Sequence, residues 1–133
     1  MELEIKSNIS ACKLVFSNLS RRNDEYVDVE FRGRRIQAGT TVYLHAKVDG
    51  LDIWFQKLGR LEKPWDGAIE WTSIERDFRL AVTCSRIGHV HFDIEIHRQN
   101  DLQEESTMTA GLMTDLATLQ SIAKDAQTFF GQA

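Results

Sequence analysis

Tyr26-Val27-Asp28-Val29-Glu30-Phe31-Arg32-Gly33-Arg34-Arg35-Ile36-Gln37-Ala38-Gly39-Thr40-Thr41-Val42-Tyr43-Leu44 is the stretch that decides the fold class. Val27, Val29 and Phe31 alternate with Tyr26, Asp28, Glu30 and Arg32, which is the side-chain period of a strand. Gly33-Arg34 reads as the hairpin turn. The return strand keeps the same rhythm. Ile36, Ala38, Thr40, Val42, Leu44, Ala46 and Val48 share one face, with Gln37, Thr41, Tyr43, His45 and Lys47 on the other. Alternation this long is what a sheet with one buried and one wet face produces.

The pattern extends outward in both directions. Upstream, Leu3 and Ile5 alternate with Glu2, Glu4 and Lys6, and Cys12, Leu14 and Phe16 form a second apolar phase before a turn-like stretch from Ser17 to Asp24. Downstream the period changes. Asp49 offers an N-cap with Asp52 three residues on, Leu51, Trp54, Phe55 and Leu58 follow at helical spacing, and Gly59 supplies a stop, so a helix is predicted over 50–59. Pro64-Trp65-Asp66-Gly67 carries strong turn chemistry. Strands then return: Ile69 and Trp71 up to about Glu75, Phe78 to Cys84, Val90 to Ile96 after the Ile87-Gly88 turn, and Met108 to Leu112 after a polar break at Arg98 to Asp101. Thr114 to Phe130 closes the chain as an amphipathic helix, with Thr114 as its N-cap and Asp115 complementing the helix dipole.

Many hairpin-spaced strands with few helices indicate an α+β fold. The expectation is a single domain over 1–133, with an antiparallel sheet of about seven strands and two helices, one mid-chain and one C-terminal, packed on one face. The other face is then wet or meets a partner. A duplicated strand-and-helix unit is an alternative, although no residue-level repeat is visible. Composition agrees: 133 residues, 42% hydrophobic and 27% charged, fit one ordinary globular domain. No apolar stretch is long enough for a membrane helix, and the charged, alternating N-terminus lacks the apolar core of a secretion signal. A net charge of -4 argues against nucleic acid as a partner. Cys12 and Cys84 fall on apolar strand phases and read as buried free thiols, with a disulfide as the alternative. A cytoplasmic location follows as the default.

The most chemically suggestive row is His89-Val90-His91-Phe92-Asp93-Ile94-Glu95-Ile96-His97, whose histidines and acids share one strand face. His89, His91 and Glu95 are the metal candidates, since His-x-His on a strand presents two imidazoles to zinc or iron. Residues two apart on a strand lie ~6–7 Å from each other, so a shared metal needs twist and a further ligand. The competing reading is the solvated face of an amphipathic strand, or a pH-sensitive contact surface. Arg32, Arg34 and Arg35, with Arg21 and Arg22, cluster at turns and could meet phosphates, but Asp24, Glu25, Asp28 and Glu30 offset them. No phosphate loop or nucleophile elbow occurs, and Ser73 lacks the glycines that would expose it. Trp54 falls on a core phase. Trp65, beside Pro64, is either a lid on the core or a flat anchor for a partner.

Trp65-Asp66-Gly67, Trp71-Thr72-Ser73-Ile74-Glu75, Leu80-Ala81-Val82 and Gly88-His89-Val90 together resemble a family of short bacterial proteins catalogued only as a domain of unknown function. The resemblance implies a helix before the Trp-x-Gly segment and a closing amphipathic helix ending in aromatics, which Gly50 to Gly59 and Leu116 to Phe130 match. Its sharp part covers 54–92. The chain departs from it at His91 and at Ala110-Gly111-Leu112, where proline and glycine are expected. No activity carries over.

The functional reading leans away from an enzyme: a small soluble protein-interaction or accessory module, immunity-like by fold-level analogy or homodimeric through an edge strand or the wet face. Its partner-binding candidates are Trp65, Tyr43, His45, His89 and His91. No catalytic residue or cofactor is assigned. The alternative is a metal-dependent or small-ligand-binding enzyme using His89, His91 and Glu95.

Overall fold

The hairpin that fixes the fold class is present, but its turn spans 33–36 with Ile36 exposed, and the return strand ends at His45 instead of running on through Ala46 and Val48. Strand β3 (Glu25–Arg32) turns through Gly33, whose amide donates to the Ile36 carbonyl at 2.8 Å, into β4 (Gln37–His45). The computed structural model describes residues 1–21, 25–99, 102 and 104–131, so the expectations for Arg22, Asp24 and Asp101 lie outside it. Before the hairpin come β1 (Leu3–Lys6) and β2 (Lys13–Ser20), and all four strands pair antiparallel in chain order. A short 3-10 turn (Lys47–Gly50) leads into helix α1 (Leu51–Gly59). The same order then recurs: β5 (Ile69–Thr72), β6 (Phe78–Cys84), β7 (His89–Gln99) and β8 (Glu105–Asp115), a 3-10 turn (Leu116–Thr118) and helix α2 (Leu119–Phe130).

The expected single sheet of about seven strands is therefore two four-stranded sheets, and the helices do not sit together on one face of one sheet. Period two shows which side of a strand is buried. It does not show which strand lies alongside, and α1 separates β4 from β5 so that β5 opens a new sheet. Both halves have four strands, a 3-10 turn and a helix, a repeat of topology without a repeat of residues.

The apolar phases of both sheets and both helices enter one core. Phe16 of β2 lies at its centre. Its ring meets Phe55 of α1 and Phe78 of β6 edge-on, both at 5.9 Å between centroids, and Phe130 of α2 at 6.3 Å. Edge-to-face pairs add about 0.5–1.5 kcal/mol each beyond the area they bury. The helices touch where Gly59 faces Ala123. A Cβ on Gly59 would stand 2.3 Å from the Ala123 Cβ, so only glycine permits this approach. Gln56 Nε2 donates to the Ala123 carbonyl at 2.8 Å beside it. Arg21 Nη1 donates to the Phe130 carbonyl at 2.9 Å, placing a cation at the C-terminal end of α2, where the helix dipole favours one. Trp54 is core, as its helical phase requires.

Both helix starts differ from the sequence reading. Asp49 is not the N-cap of α1. Lys47, Val48 and Asp49 all have positive φ, and Gly50, at φ 72°, occupies the cap position without a side-chain bond. The Glu25 carboxylate holds this left-handed run by accepting from the amides of Lys47 and Val48, and Trp71 Nε1 donates to the Asp49 carbonyl at 3.0 Å. These partners come from other strands and leave no local signature. Thr114, in turn, is a buried residue of β8. Asp115 makes the cap instead, accepting at Oδ1 from Thr118 N (3.1 Å) and Thr118 Oγ1 (2.9 Å).

The hydrogen bond from Thr118 holds the Asp115 carboxyl below the usual aspartate range. A folded-state pKa below the unfolded one gives stability that is present above the ordinary aspartate value of about 3.9 and lost as pH falls through the lowered value. Asp115→Ala is expected to cost about 1 kcal/mol in urea denaturation near neutral pH, the typical worth of such a cap. The gap to the native chain should narrow in acid, below about pH 4.

Candidate functional site

The cross-strand register of the second sheet brings together side chains far apart in sequence. Glu70, Ala81, Asp93 and Gly111 stand in one row across β5, β6, β7 and β8, and Thr72, Arg79, Glu95 and Thr109 in the next. All point away from the core. The outer face here holds an open groove of about 580 Å³, lined in part by Ala81 and Gly111 and rimmed by Glu70, Arg79, His91, Asp93 and Glu95. The Arg79 guanidinium pairs with Glu70. His91 Nε2 lies 3.0 Å from Asp93 Oδ1, and Glu95 stands outside both pairs. Three carboxylates against one permanent cation make the rim acidic.

Gly111 is a geometric requirement of this arrangement. A Cβ there would lie 2.8 Å from His91 Nε2 and 2.9 Å from its Cε1, so the imidazole leans over the glycine toward the edge strand. His97 is held separately, with Nδ1 2.8 Å from Thr107 Oγ1. His89 is exposed at the start of β7, opposite Asp115. The three metal candidates share a face but spread along it: His91 turns to Asp93, His89 sits beside the Ser85 turn, and Glu95 lies in the Arg79 row. Among the described residues no three His, Cys, Asp or Glu side chains gather into a group that could hold a metal ion.

Tyr43 and His45 belong to the other sheet. On the outer face of β3 and β4 the Tyr26 and Tyr43 rings lie 5.3 Å apart, and Tyr43 Oη is 3.3 Å from His45 Nδ1. The one continuous wet face expected from the sequence is thus two separate faces. Trp65 is half-buried against the core, and its indole Nε1 is buried with no hydrogen-bond partner among the described residues. Its loop lies by Cys84, whose thiol burial pushes above the usual cysteine range despite a backbone hydrogen bond from Trp65. Cys12 and Cys84 are both free. Two members of the arginine cluster take structural roles, Arg32 pairing with Glu30 and Arg21 bonding the end of α2 and lying 3.5 Å from Glu25, while Arg34 and Arg35 are exposed in the β3–β4 turn. Ser73 is buried and closes the β5–β6 turn, donating to Asp77 Oδ1 at 2.6 Å and accepting from the Phe78 amide at 3.0 Å.

Glu70, Arg79, Ala81 and Gly111 escaped the sequence reading of the site. Their phase agrees with Asp93, but only the pairing register shows that they adjoin it.

Fold and site define a class: a small α+β chain of two four-stranded antiparallel sheets, with an acid-rimmed groove on the outer face of the second. The chain belongs to the family of unknown function DUF6228, whose model matches residues 5–133. No curated protein matches the chain, and no solved structure does. The helix before the Trp65 segment and the closing helix ending in Phe129-Phe130 are both present. Among the described residues no helix is long and apolar enough to cross a membrane.

Gly111→Ala tests the geometry. Its Cβ meets the movable end of a side chain, so the fold should survive with a stability change below about 1 kcal/mol. The His91 ring resonances should shift as the imidazole leaves Gly111, while those of His97 stay in place. Unchanged His91 resonances would contradict the packing.

Proposed function

We propose that this chain is a non-enzymatic protein-interaction module that binds through the outer face of the second sheet. The ligand chemistry it suits is a cationic protein segment presenting lysine or arginine. One observation carries this reading: Glu70, Asp93 and Glu95 rim an open groove on the outer face, and Glu95 belongs to neither of the two ion pairs there. Asp93 and Glu70 already hold His91 and Arg79, so a guanidinium entering beside Glu95 meets carboxylates arranged by the sheet and not by flexible loops. An accessory or immunity-like role, in which an acidic face covers a basic partner, is the biological form this chemistry supports. The same acidic rim disfavours phosphate-bearing partners such as nucleic acid.

The test is a titration of the full chain with an arginine-containing peptide, followed by two-dimensional amide NMR. Shifts should concentrate at Arg79, Asp93, Glu95 and Gly111, weaken with added salt, and vanish in an Asp93→Lys/Glu95→Lys variant. Shifts spread over the whole surface, or centred on the first sheet, would overturn the reading.

A further inference from the structure

We propose that the outer edge of β8 is a self-pairing site, at which a second copy of this chain joins antiparallel across a two-fold axis and merges two second sheets into one. Hydrogen-bond parity locates the edge. Leu116 N donates to the Gly88 carbonyl at 3.0 Å, and β7 and β8 stay in unbroken register from there along the hairpin. Even-numbered residues of β8 therefore bond to β7, because an antiparallel strand directs the N–H and C=O of alternate residues to opposite sides. Glu105, Thr107, Thr109, Gly111 and Met113 direct theirs outward. The Met113 carbonyl accepts from Asn8 N at 2.9 Å. Among the described residues no backbone hydrogen bond reaches the outward groups of Thr107, Thr109 and Gly111.

Such an edge is normally blunted by charge, proline, a bulge or shortness. The middle of β8 has none of these, the charges Glu105 and Asp115 standing at the two ends of the strand. The strand is eleven residues long, its run from Ser106 to Thr114 contains no charged residue and no proline, and its side chains from Glu105 to Thr107 are exposed. Two of the other three edges are protected. β1 and β5 have four residues each, and β1 carries Glu4 and Lys6. β4 is uncharged, but Arg98 lines the groove beside Gly39, Thr40 and Thr41.

The sequence of the free edge complements itself. A two-fold at Met108 uses every outward residue from Glu105 to Gly111 and stops where Asn8 occupies Met113. It sets Thr107 opposite Thr109 of the second copy, a favourable cross-strand pair. Glu105 of the second copy then falls opposite Gly111, in the row that also holds Asp93 and next to the leaning His91 imidazole. A symmetric pairing of this kind closes as a dimer and does not propagate. The inference names a second copy as one partner in the interaction reading, but it stands on the β8 backbone alone. The peptide titration can fail without it, and the reverse.

Sedimentation velocity and amide hydrogen exchange on the full chain, across a concentration series, test it together. A dimer should form as concentration rises, with the amides of Thr107, Thr109 and Gly111 slowing roughly tenfold or more. Met108 and Ala110, bonded to β7, should be protected throughout. A Thr107→Lys/Thr109→Lys variant should return to monomer with its far-ultraviolet circular dichroism intact. A chain that stays monomeric into the millimolar range would overturn the proposal. So would a dimer whose odd-numbered β8 amides exchange as freely as in the monomer.

Discussion

The ring of Phe16 is where the molecule is joined. It comes from the first sheet and meets Phe78 of the second, Phe55 of the first helix and Phe130 of the second helix. Each half of the chain has four strands and one short helix, too little to bury a sheet face by itself. Contact through Phe16 lets each sheet use the other half as part of its cover. The Gly59–Ala123 approach serves the same end, because the helices reach the ring cluster only by lying close together. Around this centre the remaining apolar side chains of both sheets have one interior to enter.

A shared interior dictates what the outside looks like. Every strand spends one face on the core, so the opposite phase of each is delivered to an outer surface. On the first sheet that surface mixes the Tyr26 and Tyr43 rings and Thr41 with the charged Asp28, Glu30 and Arg32. On the second it is acidic, with Glu70, Asp93 and Glu95 at the rim of an open groove. The edge of β8 adjoins this groove at Gly111. Backbone pairing at the edge and charge recognition on the face are therefore neighbouring functions of one sheet, and a dimer through β8 would place two acid-rimmed grooves on one continuous surface.

Much of this was legible from residue order and some of it was not, for physical reasons. Burial phase is local: Val27, Val29 and Phe31, or Leu119, Ile122 and Ala126, announce their buried side by spacing alone. Sheet membership is not local, so two sheets read as one. The cap of α1 was misplaced because Asp49 has the right chemistry, while its backbone is held left-handed by Glu25 and Trp71, far away in sequence. The closing helical segment reads as starting one residue early: Thr114 is still buried strand, and Asp115 caps the 3-10 turn that leads into α2. The acid and histidine row on β7 was visible from alternation. Its partners Glu70, Arg79 and Gly111 were not, because they depend on register. The uncharged run from Ser106 to Thr114 was in plain view, but it acquires meaning only once β8 is known to be an edge.

The organising claim is that the two topologically equivalent halves depend on one core built around Phe16. Calorimetry tests it most directly, because cooperative burial has a thermal signature. One shared core requires a single unfolding transition in the full chain, with equal calorimetric and van't Hoff enthalpies. Two resolved transitions, or a van't Hoff enthalpy near half the calorimetric value, would mean that the halves melt independently and that the Phe16 junction does not hold them together.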